Sequence, residues 1–192
     1  MTRLFWVRHG PTHEKAMTGW RDVPADLSDI AALGRLNAHL PQSSIVTSSD
    51  LIRATATADA LSQGRTRLPP DPALREIHFG DWDGRHWTDI AATDPDLSRL
   101  FWEEPGTHRA PGGESWNDAA TRASTVADQL VTMHAGQDLI IVAHFGIILT
   151  QLARATRQTP FQVLAQKIDP LSVTCLSHDA GRWSALAINH LA

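Results

Sequence analysis

The sequence predicts an α/β fold, a three-layer α/β/α sandwich with a mostly parallel central sheet. Three observations lead there. Short apolar runs of strand length occur at residues 4–7, 45–47 and 139–143, too short for helices and bounded by turn residues. Between them lie stretches with apolar residues at helical spacing, and that alternation of strand and helix is the pattern of a parallel sheet. The chain has 192 residues, 42% of them hydrophobic, enough for one domain with a full core.

In chain order, residues 4–7 (Leu4, Phe5, Trp6, Val7) read as a buried strand that runs into Arg8-His9-Gly10. Residues 27–40 carry Ile30, Leu33, Leu36 and Leu40 at helical spacing, with Ser28 as an N-cap and Pro41 as a stop. The strand at 45–47 leads into Ser48-Ser49-Asp50, where Asp50 caps a helix over 51–61 that Gly64 closes. A long helix is expected over 114–134, with an acid in its first turn and Gly136 after its end. The strand at 139–143 meets His144 and a helix over 146–156. Two β-like segments, 172–176 and 183–188, close the chain around a turn at 179–181. The intervening residues 76–113 form an insert expected to lie as a lid over the site, with a Pro- and Gly-rich surface loop at 105–113.

Composition excludes several classes. A net charge of -4 argues against a dedicated nucleic-acid binder, so an anion site must be a local cationic pocket. The longest apolar stretches are too short to span a bilayer, so no membrane partner is expected. The first residues lack a secretory pattern, which points to a cytoplasmic protein. The single cysteine, Cys175, permits no internal disulfide and no multi-cysteine metal site, and its β-like surroundings suit a buried, inert thiol. The sequence leaves the subunit number open.

The chemistry-bearing residues gather at predicted strand ends. Taken singly, His9 reads as an exposed loop histidine, His144 as a core histidine and Arg53 as a solvated helix charge. Together with Arg8 they lie where parallel strands deliver side chains to one sheet edge, beside helix N-termini that favour anions. Arginine presents a rigid fork matched to phosphate oxygens, and a neutral imidazole supplies a nitrogen nucleophile. Metal binding is the rival use of paired histidines, but no carboxylate–histidine metal spacing is present and Arg8 would repel a cation. Glu76 lies among bulky apolar residues, and Phe79 and Trp82 are expected to desolvate it as a general acid requires. Asp81 and Asp83 read as surface acids, and Trp20, Trp87, Trp102 and Trp116 as packing.

Arg8-His9-Gly10 with Thr12, Ser48-Ser49-Asp50 with Arg53-Ala54, Glu76 before Phe79-Gly80-Asp81-Trp82, Pro111-Gly112-Gly113-Glu114-Ser115, and Val142-Ala143-His144 together resemble the histidine phosphatase superfamily, which includes the cofactor-dependent phosphoglycerate mutases. The resemblance spans nearly the whole chain. It implies a phosphoglycerate mutase-like fold, a phosphohistidine formed on His9, and Arg8, Arg53 and His144 holding the phosphoryl oxygens. Glu76 would protonate the leaving oxygen and then deprotonate the attacking water, with no metal and no cofactor. Thr12, Lys15 and Phe145 would join Arg8, Arg53 and His144 in binding substrate. Lys15 stands where many relatives have asparagine, Phe145 where they often have glycine, and Pro11 where glutamate is common. The runs around Phe79–Arg85 and Gly181–Asn189 look most like α-ribazole phosphatases and their broad-specificity relatives.

The expected activity is therefore hydrolysis of the phosphomonoester of a small metabolite, with α-ribazole 5'-phosphate as a candidate and a small-molecule phosphate ester as the partner. The alternatives are a mutase, a non-catalytic phospholigand-binding protein and, less favoured because of the covering insert, a protein phosphohistidine phosphatase.

Overall fold

The computed structural model describes residues 1–192. Its strands are β1 (Thr2–Arg8), β2 (Ser44–Ser48), β3 (Thr66–Arg67), β4 (Asp138–Ala143), β5 (Val173–Asp179) and β6 (Arg182–His190). They form one six-stranded sheet in the order β3-β2-β4-β1-β5-β6. The first four strands in that order pair in parallel, and β5 and β6 add an antiparallel edge. The turn between β5 and β6 places Ala180 and Gly181 at φ of 46° and 79°, the left-handed pair that a tight hairpin requires.

Alternation along the strands builds two cores. Leu4, Trp6, Leu139 and Ile141 face one side and pack under α5 (Trp116–Met133) and α6 (Phe145–Thr156). Phe5, Val7, Ile140 and Val142 face the other, under α1 (Ile30–His39) and α2 (Ile52–Ala60). These are the three layers that the sequence pattern predicts. No helix is long and apolar enough to cross a membrane.

Two helix starts differ from expectation. Ser28 is not a cap: its own N–H is held by Asp26, and α1 begins two residues later with Asp29 accepting from the Ala32 N–H at 2.9 Å. Asp50 does not cap α2, because both its oxygens take the Arg75 guanidinium at 2.7 and 2.6 Å. A bidentate charged pair outweighs a single cap bond. Asp22, from a distant loop, caps α2 instead, accepting from the Ile52 N–H at 2.7 Å. The long helix starts at Trp116, with Ser115 and Asp118 forming a reciprocal capping box.

The insert at 76–113 is more ordered than its sequence suggests. It holds a 3₁₀ turn at Gly80–Trp82 and two short helices, α3 (Trp87–Thr93) and α4 (Pro95–Glu103). α3 is two turns long and shows no clear periodicity, whereas α4 carries Leu97, Leu100 and Phe101 at helical spacing behind Pro95, a signal that the loop reading passed over. A further short helix, α7 (Pro160–Leu164), is set by a Thr159–Gln162 capping box and Pro160 in its first turn.

Candidate active site

The parallel register decides which side chains meet. Arg8 pairs with Ala143 and Ser48 with Val142, so β1, β4 and β2 end on one line. The residues that follow β1 and β4 are His9 and His144, and the His9 N–H donates to the Ala143 carbonyl at 3.1 Å. Their imidazole centroids lie 5.0 Å apart, at an interplanar angle of 60°. Both rings are buried, as are Arg53 and Glu76: their exposures are 7% for His9, 0% for His144, 1% for Arg53 and 7% for Glu76.

Each ring has a fixed proton. His9 Nδ1 lies 2.7 Å from the Gly10 carbonyl oxygen, which can only accept, so Nδ1 carries the hydrogen and Nε2 keeps its lone pair. Burial, with Arg53 and Arg8 nearby, pushes the His9 pKa down to about 3, so the ring is neutral at pH 7. Gly10 is itself anchored, its N–H donating to Thr57 of α2 at 3.1 Å. His144 Nδ1 accepts from Arg53 Nε at 3.2 Å, which leaves the His144 proton on Nε2. Burial foremost, then His9 and the neighbouring arginines, holds His144 neutral as well.

Two buried nitrogens, His144 Nε2 and Arg8 Nε, have no protein partner. An orphaned buried donor is costly, and an anion bound between these residues would satisfy both. Arg8 is otherwise tied to the Ile168 carbonyl at 2.6 Å, and its guanidinium carbon lies 5.5 Å from the Phe145 ring centroid. Arg53 reaches the carbonyls of Arg21 at 2.9 Å and Gly19 at 2.6 Å. The same segment is tied down by Asp83, which accepts from the N–H groups of Gly19 and Arg21 at 3.0 and 2.9 Å. Asp83 is therefore a structural anchor of the Arg53 loop and not a bland surface acid.

Glu76 is fixed at both oxygens, accepting from the Ile77 N–H at 2.9 Å and the Gly146 N–H at 3.0 Å. A Cβ on Gly146 would sit 2.6 Å from Glu76 Oε1 and 2.9 Å from the Ile77 side chain, so any larger residue would push Glu76 or Ile77 aside. The Glu76 carbonyl accepts from Trp20 Nε1 at 2.7 Å and from Arg122 at 2.8 Å. Arg122 also holds the carbonyls of Ala73 and Arg75 and pairs with Glu114, whose carboxylate accepts the His78 N–H. Glu76 lines a narrow pocket of about 40 Å³ with Phe79, Phe101, Trp102 and Phe145, so its carboxylate borders apolar side chains. Phe79 is part of that wall; Trp82 is fully buried, with its Nε1 donating to Asp94.

The structure thus brings together His9, His144, Arg53, Arg8 and Glu76, with Phe145 against Arg8. Thr12 is half-buried in the loop after β1, and Lys15 is exposed without an ion pair to this cluster. Sequence reasoning missed Arg122, Trp20, Gly146 and the role of Asp83. Arg122 had a signal: it falls on the stripe of Ala119, Ala123 and Val126, where α5 is otherwise apolar. A charge on a buried stripe needs partners.

Two neutral histidines, arginine forks and a carboxylate are thus gathered at the ends of β1 and β4, an arrangement with the donors to hold an oxyanion. The family model described as histidine phosphatase superfamily (branch 1) matches residues 4–191, and the chain belongs to that superfamily. Over 164 residues it is 38% identical to a glucosyl-3-phosphoglycerate phosphatase of Mycolicibacterium vanbaalenii, covering 76% of this chain and 70% of that protein. Among solved structures, Bacillus stearothermophilus YhfR superposes with a TM-score of 0.91 at 28% identity, covering 100% of this chain and 98% of that one. A mycobacterial glucosyl-3-phosphoglycerate phosphatase gives a TM-score of 0.85 at 31% identity, covering 99% of each chain. The α-ribazole phosphatase of Shigella flexneri, at 22% identity and a TM-score of 0.84 over 99% of this chain and 97% of that one, shares the fold.

Proposed function

We propose that this histidine phosphatase hydrolyses the phosphomonoester of a small molecule through a phosphohistidine on His9. The observation that carries the reading is the His9 ring: buried, neutral, with Nδ1–H bonded to Gly10 and the Nε2 lone pair left over. In the first step Nε2 attacks phosphorus, a P–N bond forms, and the P–O bond to the alcohol breaks. Glu76, as the protonated acid, gives its proton to the departing oxygen. In the second step water attacks phosphorus, Glu76 takes a proton from it, and the P–N bond breaks to release inorganic phosphate and neutral His9. Arg8, Arg53 and His144 Nε2 offer donors to the three equatorial oxygens as charge builds on them. Thr12 and Lys15 would extend the binding site at its mouth. The residues 76–113 act as a lid, which favours a small substrate over a protein.

The test is to mix the protein with p-nitrophenyl phosphate, quench at high pH, where phosphohistidine survives, and map the modified peptide by mass spectrometry. The label belongs on His9, and His9→Ala should retain no more than a trace of turnover. Label on another residue, or full turnover by the variant, removes the covalent step. A mutase reading is favoured by one relative, a phosphoglycerate mutase of Gloeobacter violaceus that is 29% identical over 94% of this chain and 87% of that protein. Formation of 2-phosphoglycerate from 3-phosphoglycerate, without free phosphate, would decide for it. α-Ribazole 5'-phosphate and glucosyl-3-phosphoglycerate are the two named esters to test first.

A further inference from the structure

We propose that the leaving-group side of this site selects phosphate esters of apolar alcohols and rejects those of anionic alcohols such as glycerates. The inference rests on the hydrolase reading and concerns what fills the pocket beyond Glu76. That pocket is narrow, about 40 Å³, and partly open to solvent. Phe79, Phe101, Trp102, Trp116, Phe145 and Leu164 make most of its wall. Phe101 and Trp102 meet edge to face at 4.9 Å, and Phe79 meets Phe101 at 6.2 Å in the same manner, so the wall is a packed aromatic surface. Trp102 is 38% exposed, so part of this wall faces solvent.

No arginine or lysine lines this pocket, and its only titratable groups are Glu76 and His108. A carboxylate on the alcohol would sit beside Glu76, among apolar rings, with no fork to pair it. Arg8 is committed to Ile168 and Phe145, Arg53 to His144 and two carbonyls, and Arg122 to Glu114 and three carbonyls, while Lys15 is exposed and outside this wall. Phe145 joins the two halves of the site, with one contact to the Arg8 guanidinium and a share of the apolar wall. The pocket therefore differs in chemistry from one built for a glycerate, whatever the relatives act on.

The experiment compares three alkyl esters, so that the leaving oxygens are alike: 3-phenylpropyl phosphate, 3-phosphoglycerate and glucosyl-3-phosphoglycerate. The expected kcat/KM for the phenylpropyl ester exceeds the other two by about 100-fold or more, the scale on which an unpaired buried polar group is rejected. In parallel, calorimetric titration with the non-hydrolysable phosphonate analogues of the phenylpropyl and glycerate esters should show the same order of affinity. Equal or reversed preference, in turnover or in binding, overturns the proposal. Preferred binding of the phenylpropyl phosphonate with no hydrolysis of any ester would instead sink the hydrolase reading and leave the pocket's selectivity standing. Absence of both binding and hydrolysis would overturn the two together. Trp102→Arg, at a half-exposed position, should shift the ratio of the two kcat/KM values toward 3-phosphoglycerate by about tenfold or more. Leu164→Arg provides the same test from the opposite wall, and an unchanged ratio in both variants also counts against the proposal.

Discussion

Arg53 Nε donates to His144 Nδ1 across 3.2 Å, and this one bond sets the proton of a fully buried imidazole on the nitrogen that has no protein partner. His9 is set by the same logic, through Gly10, but with the opposite result: its free nitrogen is a lone pair. Two adjacent histidines thus become unlike, one able to attack and one able to donate. Neither residue type nor spacing could distinguish them; the partner of each Nδ1 does.

Arg53→Lys is the direct test of that relationship. A lysine is a single charged point and cannot serve His144, Gly19 and Arg21 together. Turnover is expected to fall by about 100-fold or more, on the scale of losing one oriented donor. Stability should fall by about 1–3 kcal/mol as buried acceptors lose their partner. Steady-state kinetics and urea unfolding measure the two losses. Near-wild-type kcat would show that the His144 tautomer does not depend on Arg53.

Stability should fall on acidification. The unfolded chain takes up protons on its histidines near pH 6.5, whereas folded His9 resists protonation until about pH 3. Between those limits the unfolded state binds more protons, so stability decreases as pH falls from 6.5 and levels off below about 3. Each such group contributes a slope of about 1.4 kcal/mol per pH unit, and His144 adds to it. Urea midpoints from pH 7 to 4 would show this, and the slope should be shallower in His9→Ala. Because His9 stays neutral, its protonation should not be what limits kcat/KM at pH 5.

Gly146→Ala should act as a subtle lesion of Glu76. The added methyl would fall 2.6 Å from Oε1, so the carboxylate must move. Turnover of an alkyl phosphate should drop by about 100-fold, with a smaller loss on p-nitrophenyl phosphate, whose phenolate departs without a proton. Glu76→Gln should show the same asymmetry. Equal losses on both substrates would argue that Glu76 is not the proton donor.

Glu114 and Arg122 are positioning residues. Their pair, at 2.8 Å, clamps the backbone that carries Glu76. Glu114→Gln should loosen the clamp and lower kcat on alkyl esters by about tenfold while KM changes little. A merely structural role would lower the melting temperature and leave the alkyl-to-aryl ratio of kcat unchanged, so that ratio is the deciding measurement.

The sequence by itself determined the layered α/β order, the strand ends carrying Arg8-His9 and His144, and the family, because apolar periodicity and short motifs are local properties. It did not reveal α3, a helix of two turns, nor the capping of α2 by Asp22, thirty positions upstream, although α4 did carry a helical signal in Leu97, Leu100 and Phe101. Its surface reading of Asp83 failed because the acid's partners, Gly19 and Arg21, lie far away in the chain. Only the tertiary structure decided which nitrogen of each histidine is free and how Glu76 is held. Those outcomes depend on hydrogen bonds between elements that meet only when β1 and β4 pair in register. Chain order lists such groups; packing chooses their partners.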